Sequence, residues 1–194
     1  MVQRFVALIL LIISLPLLAI FFILVKITSN GPFIFVQKRT GKNGKIFRMY
    51  KIRTMVKNAE RLKKKYLKLN EVDGPVFKIK NDPRFTKFGK VISYTGLDEL
   101  PQLINIIKGE MAFVGPRPLP VSEALRVPKK YQKRFEVLPG VTSPWVVKGQ
   151  HALNFTEWME LDLKYIKKKS RLYDFRVSLQ TAIIVFNLIW KKFT

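Results

Sequence analysis

The chain has 194 residues and a net charge of +23, from 36 Lys and Arg against 13 Asp and Glu, while 48% of its residues are hydrophobic. This apolar content excludes a disordered basic tail, and the basic surface attracts polyanions: nucleic acid, anionic lipid or a phosphorylated substrate. The absence of cysteine excludes disulfides, thiolate catalysis and cysteine-ligated metal. The length fits one compact domain with an appended segment, or at most two small domains.

Residues 5–25 are uncharged and lie between Arg4 and Lys26. As a straight helix they would reach about 31 Å, the thickness of a bilayer core, so a simple membrane span is one interpretation. A re-entrant helix is the other. Pro16 breaks the run near its midpoint, and Ser14 is close enough to hydrogen-bond a carbonyl that Pro16 leaves free. Basic residues on both flanks also favour the cytoplasm at both ends. These residues leave the two interpretations evenly balanced.

The next third of the chain, residues 26–90, carries more than half of the basic residues. Strands are predicted at 33–36 and 46–55, with a turn-rich loop at 38–45 between them. A basic helix is predicted at 56–69. Its lysine run at 63–65 is typical of a solvated helix face, or of attraction to anionic headgroups beside a membrane segment.

The second half of the chain is predicted to be mostly helical. After a turn at 82–84, helices are predicted at 85–93 and from Asp98 to a C-terminal cap at Gly109, followed by a strand at 111–114. Helical patterns return at 128–135 and, with an amphipathic face, at 156–169. The apolar segment 175–190 is too short to span a bilayer; it fits a membrane-interface helix or a core helix, and we slightly favour the core helix.

Asp98 and Glu99 stand side by side in a chain that has few acidic residues. The simplest interpretation is a helix cap, with Thr95 and Asp98 as a capping box or Asp98 itself as the N-cap, and Pro101 in the first turn. The alternative is catalysis. A helix N-terminus stabilises an ionised carboxylate beside phosphate, an aspartate can attack phosphorus, and two carboxylates with phosphate oxygens suit Mg²⁺.

Arg117 lies between Pro116 and Pro118, in a loop that the prolines stiffen. A pre-organised guanidinium can bind a diphosphate bidentately, although a surface arginine in a tight turn has the same sequence pattern.

The only histidine, His151, has no evident nucleophile as a partner. No Gly-rich nucleotide loop is present, and a single histidine without cysteine makes a zinc site improbable.

Motifs along nearly the whole chain carry a family resemblance. Besides the proline-broken apolar start, the segments are GPFIFVQKRTG at 31–41, FRMYKIRTM at 47–55, GPVFKIKNDPR at 74–84, LDELPQLINIIKGEM at 97–111, FVGPRPL at 113–119 and PGVT at 139–142. In this combination the chain resembles the bacterial sugar transferases, specifically the small monotopic polyprenyl-phosphate phosphoglycosyl transferases.

The resemblance implies an α+β fold in two parts. Residues 1–30 would form a re-entrant membrane helix, with Ser14 and Pro16 at its break. Residues 31–194 would form a small, mostly helical cytosolic domain with short strands and amphipathic helices at the membrane interface. The protein would then sit on the cytoplasmic face of the bacterial inner membrane, with both termini in the cytoplasm.

The resemblance also implies a ping-pong reaction. Asp98 would attack the sugar-bearing phosphate of a UDP-sugar, release UMP and hold a covalent phosphosugar, which undecaprenyl phosphate would then accept. This is the first membrane step of glycoconjugate assembly, as in exopolysaccharide or lipopolysaccharide synthesis. Magnesium would bind at Asp98, and Glu99 would act as a ligand or general base. The substrate-binding residues expected on this basis are Arg117, Arg53, Lys148 and Gln150.

Some positions depart from the family pattern. Leu15 replaces the usual serine before the membrane proline, Ser93 and Tyr94 stand where arginines are common, and Gln150 replaces a nucleotide-contacting arginine that Lys148 would only partly substitute. A catalytically degenerate scaffold that binds anionic lipid is therefore the alternative function.

A membrane-tethered nucleic-acid binder is a third interpretation, which rests on charge alone. No groove-reading helix or aromatic-rich binding strand is recognisable in the sequence. We therefore expect no nucleic-acid partner.

Overall fold

The computed structural model of the protein describes residues 1–149 and 153–193 and combines helices with two small sheets. The α-helices are α1 Val2–Thr28, α2 Ala59–Leu62, α3 Lys87–Thr95, α4 Leu103–Lys108, α5 Val121–Ala124, α6 Pro144–Val147, α7 Phe155–Lys168 and α8 Arg171–Phe193. The strands are β1 Ile34–Thr40, β2 Ile46–Ile52, β3 Ala112–Val114, β4 Leu119–Pro120 and β5 Gly140–Thr142. Short 3₁₀ helices occupy Lys42–Gly44, Lys63–Leu69, Leu97–Gln102 and Lys129–Phe135.

Helix α1 is long and apolar, and most of its surface is exposed. The helix continues through Pro16, and the Ser14 hydroxyl donates a 2.8 Å hydrogen bond to the carbonyl of Leu11. The carbonyl that Pro16 frees is that of Ile12, so the serine bonds the neighbouring carbonyl rather than the freed one. Within the described residues, α1 and α8 are the two helices that are long and apolar enough to cross a membrane. The prediction that the segment 175–190 is too short to span is wrong, because its helix begins already at Arg171.

The larger sheet has the strand order β2-β1-β4, and every pairing in it is antiparallel. Its central hairpin pairs Lys38 with Arg48 and Phe35 with Lys51. The loop predicted at 38–45 is shorter than expected, because β1 continues to Thr40 and a tight turn follows in which Asn43 has a φ of 53°. The second sheet pairs β3 and β5 in parallel.

The helix predicted at 56–69 is broken into α2 and the 3₁₀ helix Lys63–Leu69. The contacts at its start explain this. The amide of Val56 donates to the carbonyl of Arg84, and the Arg84 guanidinium donates to the carbonyl of Ala59. Arg84 is also buried in an ion pair with Asp82, with a shortest N–O distance of 2.6 Å. Tertiary hydrogen bonds therefore replace the regular helical bonds that the local sequence favours.

The remaining helical predictions hold to within a few residues. Helix α3 begins two residues later than predicted because the Thr86 hydroxyl caps it, accepting a hydrogen bond from the amide of Gly89. The predicted helix end at Gly109 is confirmed, since this residue has the left-handed φ of 78° that favours glycine. The segment at 128–135 is a 3₁₀ helix, and α7 matches its prediction.

The core-helix interpretation of 175–190 is wrong. Helix α8 begins at Arg171, because the Ser170 hydroxyl accepts a hydrogen bond from the amide of Tyr173 at its start. One side packs on the domain through Val177 and through Thr181, whose hydroxyl lies 2.6 Å from that of Thr142. A stripe of large apolar side chains faces outward instead, comprising Leu172, Phe175, Leu179, Ile183, Phe186 and Trp190.

The apolar core is divided into separate clusters. Helix α1 packs on α4, and the cluster there contains Ala7, Phe47, Met49, Leu103, Ile106 and Met111. Trp145 and Trp158 join residues of β4, α5 and α7 in another cluster. Lys51 lies in β2 beyond Met49 of the first cluster, and Arg117 lies in the loop just before Leu119 of the second.

Candidate active site

Asp98 and Glu99 lie in the 3₁₀ helix Leu97–Gln102, which follows α3 after a sharp reversal at Gly96. Gly96 makes this reversal with a φ of 76°, in the left-handed region that favours glycine. The capping interpretation is wrong. No side chain caps this helix, and the Thr95 hydroxyl donates to the carbonyl of Ile92 instead. Both carboxylates are therefore free for other contacts.

The carboxylates share one lysine. The Nζ atom of Lys51 on β2 lies 2.6 Å from Oε1 of Glu99 and 3.6 Å from Oδ2 of Asp98. Arg117 approaches the same Glu99 oxygen, with an Nη1–Oε1 distance of 3.1 Å. Asp98 is only 4% exposed. Two acidic and two basic groups thus form one partly buried cluster, and Arg117 is no isolated surface arginine.

The environment drives the pKa values of the two acids apart. Burial opposes the ionisation of Glu99, but the charges of Lys51 and Arg117 together outweigh it and lower the pKa of Glu99 to about 2. Burial raises the pKa of Asp98; Lys51 and Arg117 act against this rise, and the neighbouring Glu99 charge adds to it. Neighbouring acids with divergent pKa values are typical of a reactive site.

The same two acids are candidate metal ligands. Oδ2 of Asp98 and Oε1 of Glu99 already face one cation, the ammonium of Lys51, so their geometry allows both to approach a shared positive charge. Among residues 1–149 and 153–193, His, Cys, Asp and Glu form no group of three or more that could hold a metal ion. Two carboxylates suit Mg²⁺ when substrate phosphate and water supply the remaining ligands.

Tertiary contacts fix the loop that carries Arg117. The amide of Gly115 donates to the carbonyl of Thr142, and the amide of Gly140 donates to that of Pro116. A Cβ atom on Gly115 would lie 2.4 Å from the Leu138 carbonyl oxygen, so this close approach requires glycine. Two further arginines hold the loop itself: Arg39 donates to the carbonyl of Pro118 over 2.9 Å, and Arg134 donates to that of Arg117 over 2.9 Å.

A buried ion pair and two stacked rings lie behind Arg117. Arg134 pairs with Asp162 over 2.8 Å, and both side chains are only 1% exposed. The rings of Trp145 and Trp158 stack with centroids 4.5 Å apart, and the guanidinium of Arg117 lies 5.7 Å from the centroid of Trp145. The side chain of Arg117 therefore lies against Trp145, and its backbone is held by Arg134.

The other predicted binding residues do not join this cluster in the structure. The Arg53 guanidinium lies against the end of α1, 3.4 Å from the carbonyl oxygen of Asn30. Lys148 is exposed at the C-terminal end of α6. Gln150, like His151, lies outside the described residues. The structure thus brings together Asp98, Glu99 and Arg117 of the predicted set.

Sequence reasoning missed Lys51, Arg39, Lys78 and Arg134 as members of this region. Each is one of 36 basic residues, so charge alone does not single any of them out. Local context gives no usable signal either. Lys51 and Lys78 lie between apolar neighbours, in Met49–Ile52 and Phe77–Ile79, but a strand with one solvated face has the same pattern, as exposed Arg48 shows.

Comparisons with known proteins agree with the motifs. A family model described as bacterial sugar transferase matches residues 1–188. A galactosyl transferase, CpsE, of Streptococcus agalactiae is 42% identical over 81% of this chain and 35% of its own length. An undecaprenyl-phosphate galactose phosphotransferase of Salmonella typhimurium is 36% identical over 90% of this chain and 37% of its own. This chain therefore spans little more than a third of those two relatives.

A shorter relative has nearly the same extent as this chain. The exopolysaccharide production protein ExoY of Sinorhizobium fredii is 33% identical over 91% of this chain and 80% of its own length. The regions shared with all three relatives include the segments that hold the charged cluster.

Proposed function

Because this chain belongs to the bacterial sugar transferase family, we propose that it transfers a sugar phosphate from a nucleotide sugar to a polyprenyl phosphate. One observation carries the proposal: Asp98 is buried and Glu99 half-buried, neither takes part in capping, and the pair faces two cations that suit phosphate. The printed name of the Salmonella relative, which includes undecaprenyl phosphate and galactose phosphotransfer, supports this acceptor class.

In the proposed first step, the donor is a UDP-sugar and Asp98 is the nucleophile. A carboxylate oxygen of Asp98 forms a bond to the phosphorus that carries the sugar, the bond from that phosphorus to the UMP oxygen breaks, and UMP leaves with the bonding electrons. In the second step, an oxygen of the polyprenyl phosphate attacks the same phosphorus. The aspartyl–phosphorus bond breaks, which frees Asp98 and gives the polyprenyl-diphosphate sugar.

The surrounding residues have distinct roles in this scheme. Arg117 binds phosphate oxygens through its planar fork. Lys51 compensates the charge of the two acids and keeps Asp98 available as a carboxylate against the effect of burial. Glu99 is a metal ligand or a general base. When bound at Asp98 and Glu99, Mg²⁺ would neutralise charge on the phosphates.

The proposed membrane placement follows from the two apolar helices. Helix α1, within residues 1–30, enters the cytoplasmic face of the inner membrane and turns back at a kink near Ser14 and Pro16, so both termini stay in the cytoplasm. The domain formed by residues 31–194 rests on the headgroups, with the exposed apolar stripe of α8 in the interface. Lys64 and Lys65 are exposed and attract anionic lipid.

Release of UMP tests the proposed reaction. The purified full chain in lipid nanodiscs is given Mg²⁺, undecaprenyl phosphate and each of a panel of UDP-sugars, and UMP is measured. At least one donor should yield UMP, and omission of the acceptor should leave a phosphosugar bound to the protein, visible as a mass increase. No UMP from any donor would favour the alternative function, a lipid-binding scaffold that has lost catalysis.

A further inference from the structure

The ring of Trp145 is a platform for two cations. The Nζ atom of Lys78 lies 4.7 Å from its centroid, and the guanidinium carbon of Arg117 lies 5.7 Å from it. Trp158 stacks on one face of this ring at an interplanar angle of 17°. Both cations therefore approach the same ring, and Arg117 is near enough to act on the charge of Lys78.

Two like charges on one apolar ring repel each other. Burial and the neighbouring Arg117 lower the pKa of Lys78 to about 8, and Glu71 only partly offsets them. Arg39, which binds the adjacent loop carbonyl, adds a third positive charge beside Arg117, and Glu99 and Glu123 offset it in part. An anion placed between Lys78 and Arg117 would relieve this repulsion and would receive charge-assisted hydrogen bonds from both.

The presence of two cations indicates which anion fits. Lys51 contacts both acids directly, whereas Lys78 and Arg117 approach the ring of Trp145. A ligand with two linked phosphates can contact Arg117 and Lys78 at the same time, whereas the polyprenyl phosphate acceptor carries a single phosphate. The pair of cations therefore suits the diphosphate of the donor.

We propose that Lys78 and Arg117 form a two-cation clamp on Trp145 that binds the diphosphate of the soluble nucleotide-sugar donor. The inference rests on the proposed function and extends it, by adding Lys78 as a phosphate-binding residue and Trp145 as its support. The clamp orients the diphosphate so that one phosphate can lie beside Arg117 and Asp98 while the other contacts Lys78. The separate Lys51 side of the acids is left for the lipid phosphate.

Direct binding of inorganic pyrophosphate tests the clamp without any turnover. The full chain in nanodiscs is titrated by calorimetry, comparing wild type with Lys78→Met, which keeps the apolar stem and removes the charge. We expect pyrophosphate binding to weaken about tenfold or more, since a charge-assisted contact is lost. Lys78→Arg should restore most of the affinity, and Lys80→Met, a charge removal at an exposed lysine two residues away, should leave it unchanged.

Two results would overturn the proposal. One is equal pyrophosphate affinity in wild type and in Lys78→Met, with thermal unfolding curves that show both proteins folded. The other comes from a parallel titration with farnesyl phosphate: if Lys78→Met weakens only this lipid phosphate, the residue serves the acceptor. Binding is measured apart from catalysis, so the two proposals can fail separately. If Lys78→Met weakens pyrophosphate binding but the wild type releases no UMP from any donor, the clamp stands and only the transferase proposal is refuted.

Discussion

The ammonium of Lys51 donates a 2.6 Å hydrogen bond to Oε1 of Glu99. This contact joins the open end of the β1–β2 hairpin to a 3₁₀ turn far along the chain, and it brings a positive charge within 3.6 Å of Asp98 as well. A buried carboxylate beside a half-buried one is costly without such compensation. The hairpin and the acidic turn are therefore parts of a single electrostatic unit, and its members respond together to substitution.

Asp98→Asn should abolish both UMP release and the phosphosugar adduct, because an amide cannot supply the attacking carboxylate oxygen. The fold should survive, since the shape is preserved and one buried charge is removed. Intact-protein mass spectrometry after incubation with UDP-sugar measures the adduct, and Glu160→Gln, at an exposed position, serves as the control. Adduct formation that persists in Asp98→Asn would show that the nucleophile is another residue.

Lys51→Met should lower kcat/KM at least tenfold and the free energy of unfolding by about 3 kcal/mol, because buried Asp98 and half-buried Glu99 lose their shared cation. Adding Glu99→Gln to this variant should recover much of the stability without recovering activity. Urea unfolding and UMP release measure the two effects. Lys45→Met, an exposed position just before β2, is the matched control. Unchanged activity in Lys51→Met would remove Lys51 from the site.

Arg134 and Asp162 should act as positioning residues for Arg117. Arg134→Met alone leaves Asp162 buried without its partner and should cost about 3–5 kcal/mol of stability. The double variant Arg134→Met/Asp162→Leu should restore stability to within about 1 kcal/mol, yet raise the KM for the donor, because the carbonyl of Arg117 has lost its hydrogen-bond donor.

The other buried Arg–Asp pair supplies the matched control for this prediction. The double variant Asp82→Leu/Arg84→Met removes a pair of similar burial that binds the carbonyl of Ala59 rather than the Arg117 loop. It should leave the KM for the donor unchanged. Equal effects of the two double variants on KM would indicate a general loss of rigidity and contradict a positioning role for Arg134.

The membrane topology can be tested with single cysteines, because the chain has none of its own. Cysteines introduced at Val2 and Ser29, near opposite ends of α1, should react with a membrane-impermeant maleimide from the same side of inverted vesicles. That result is expected for a re-entrant helix. Labelling from opposite sides would mean that α1 spans the bilayer.

The sequence by itself determined much of the secondary structure and the family. The long apolar run predicted α1, Gly109 predicted the end of α4, and the amphipathic pattern predicted α7. These predictions hold because each pattern depends on residues close together in the chain. The pairing of two acids with Arg117 was also foreseeable, since the resemblance joined their motifs. The segment at 56–69 was predicted wrongly as one helix, because contacts with Arg84 override its local preference.

Only the tertiary structure decided what Asp98 and Glu99 do locally. A capping role and a role in chemistry have the same pattern in sequence, and the difference is the direction in which the carboxylates face. That direction depends on Lys51 and Arg117, whose distance from the acids is set by the packing of β2 and by the loop between β3 and β4. The same packing selected Lys51 and Lys78 from 36 basic residues, because burial and opposed charges are properties of contacts rather than of composition.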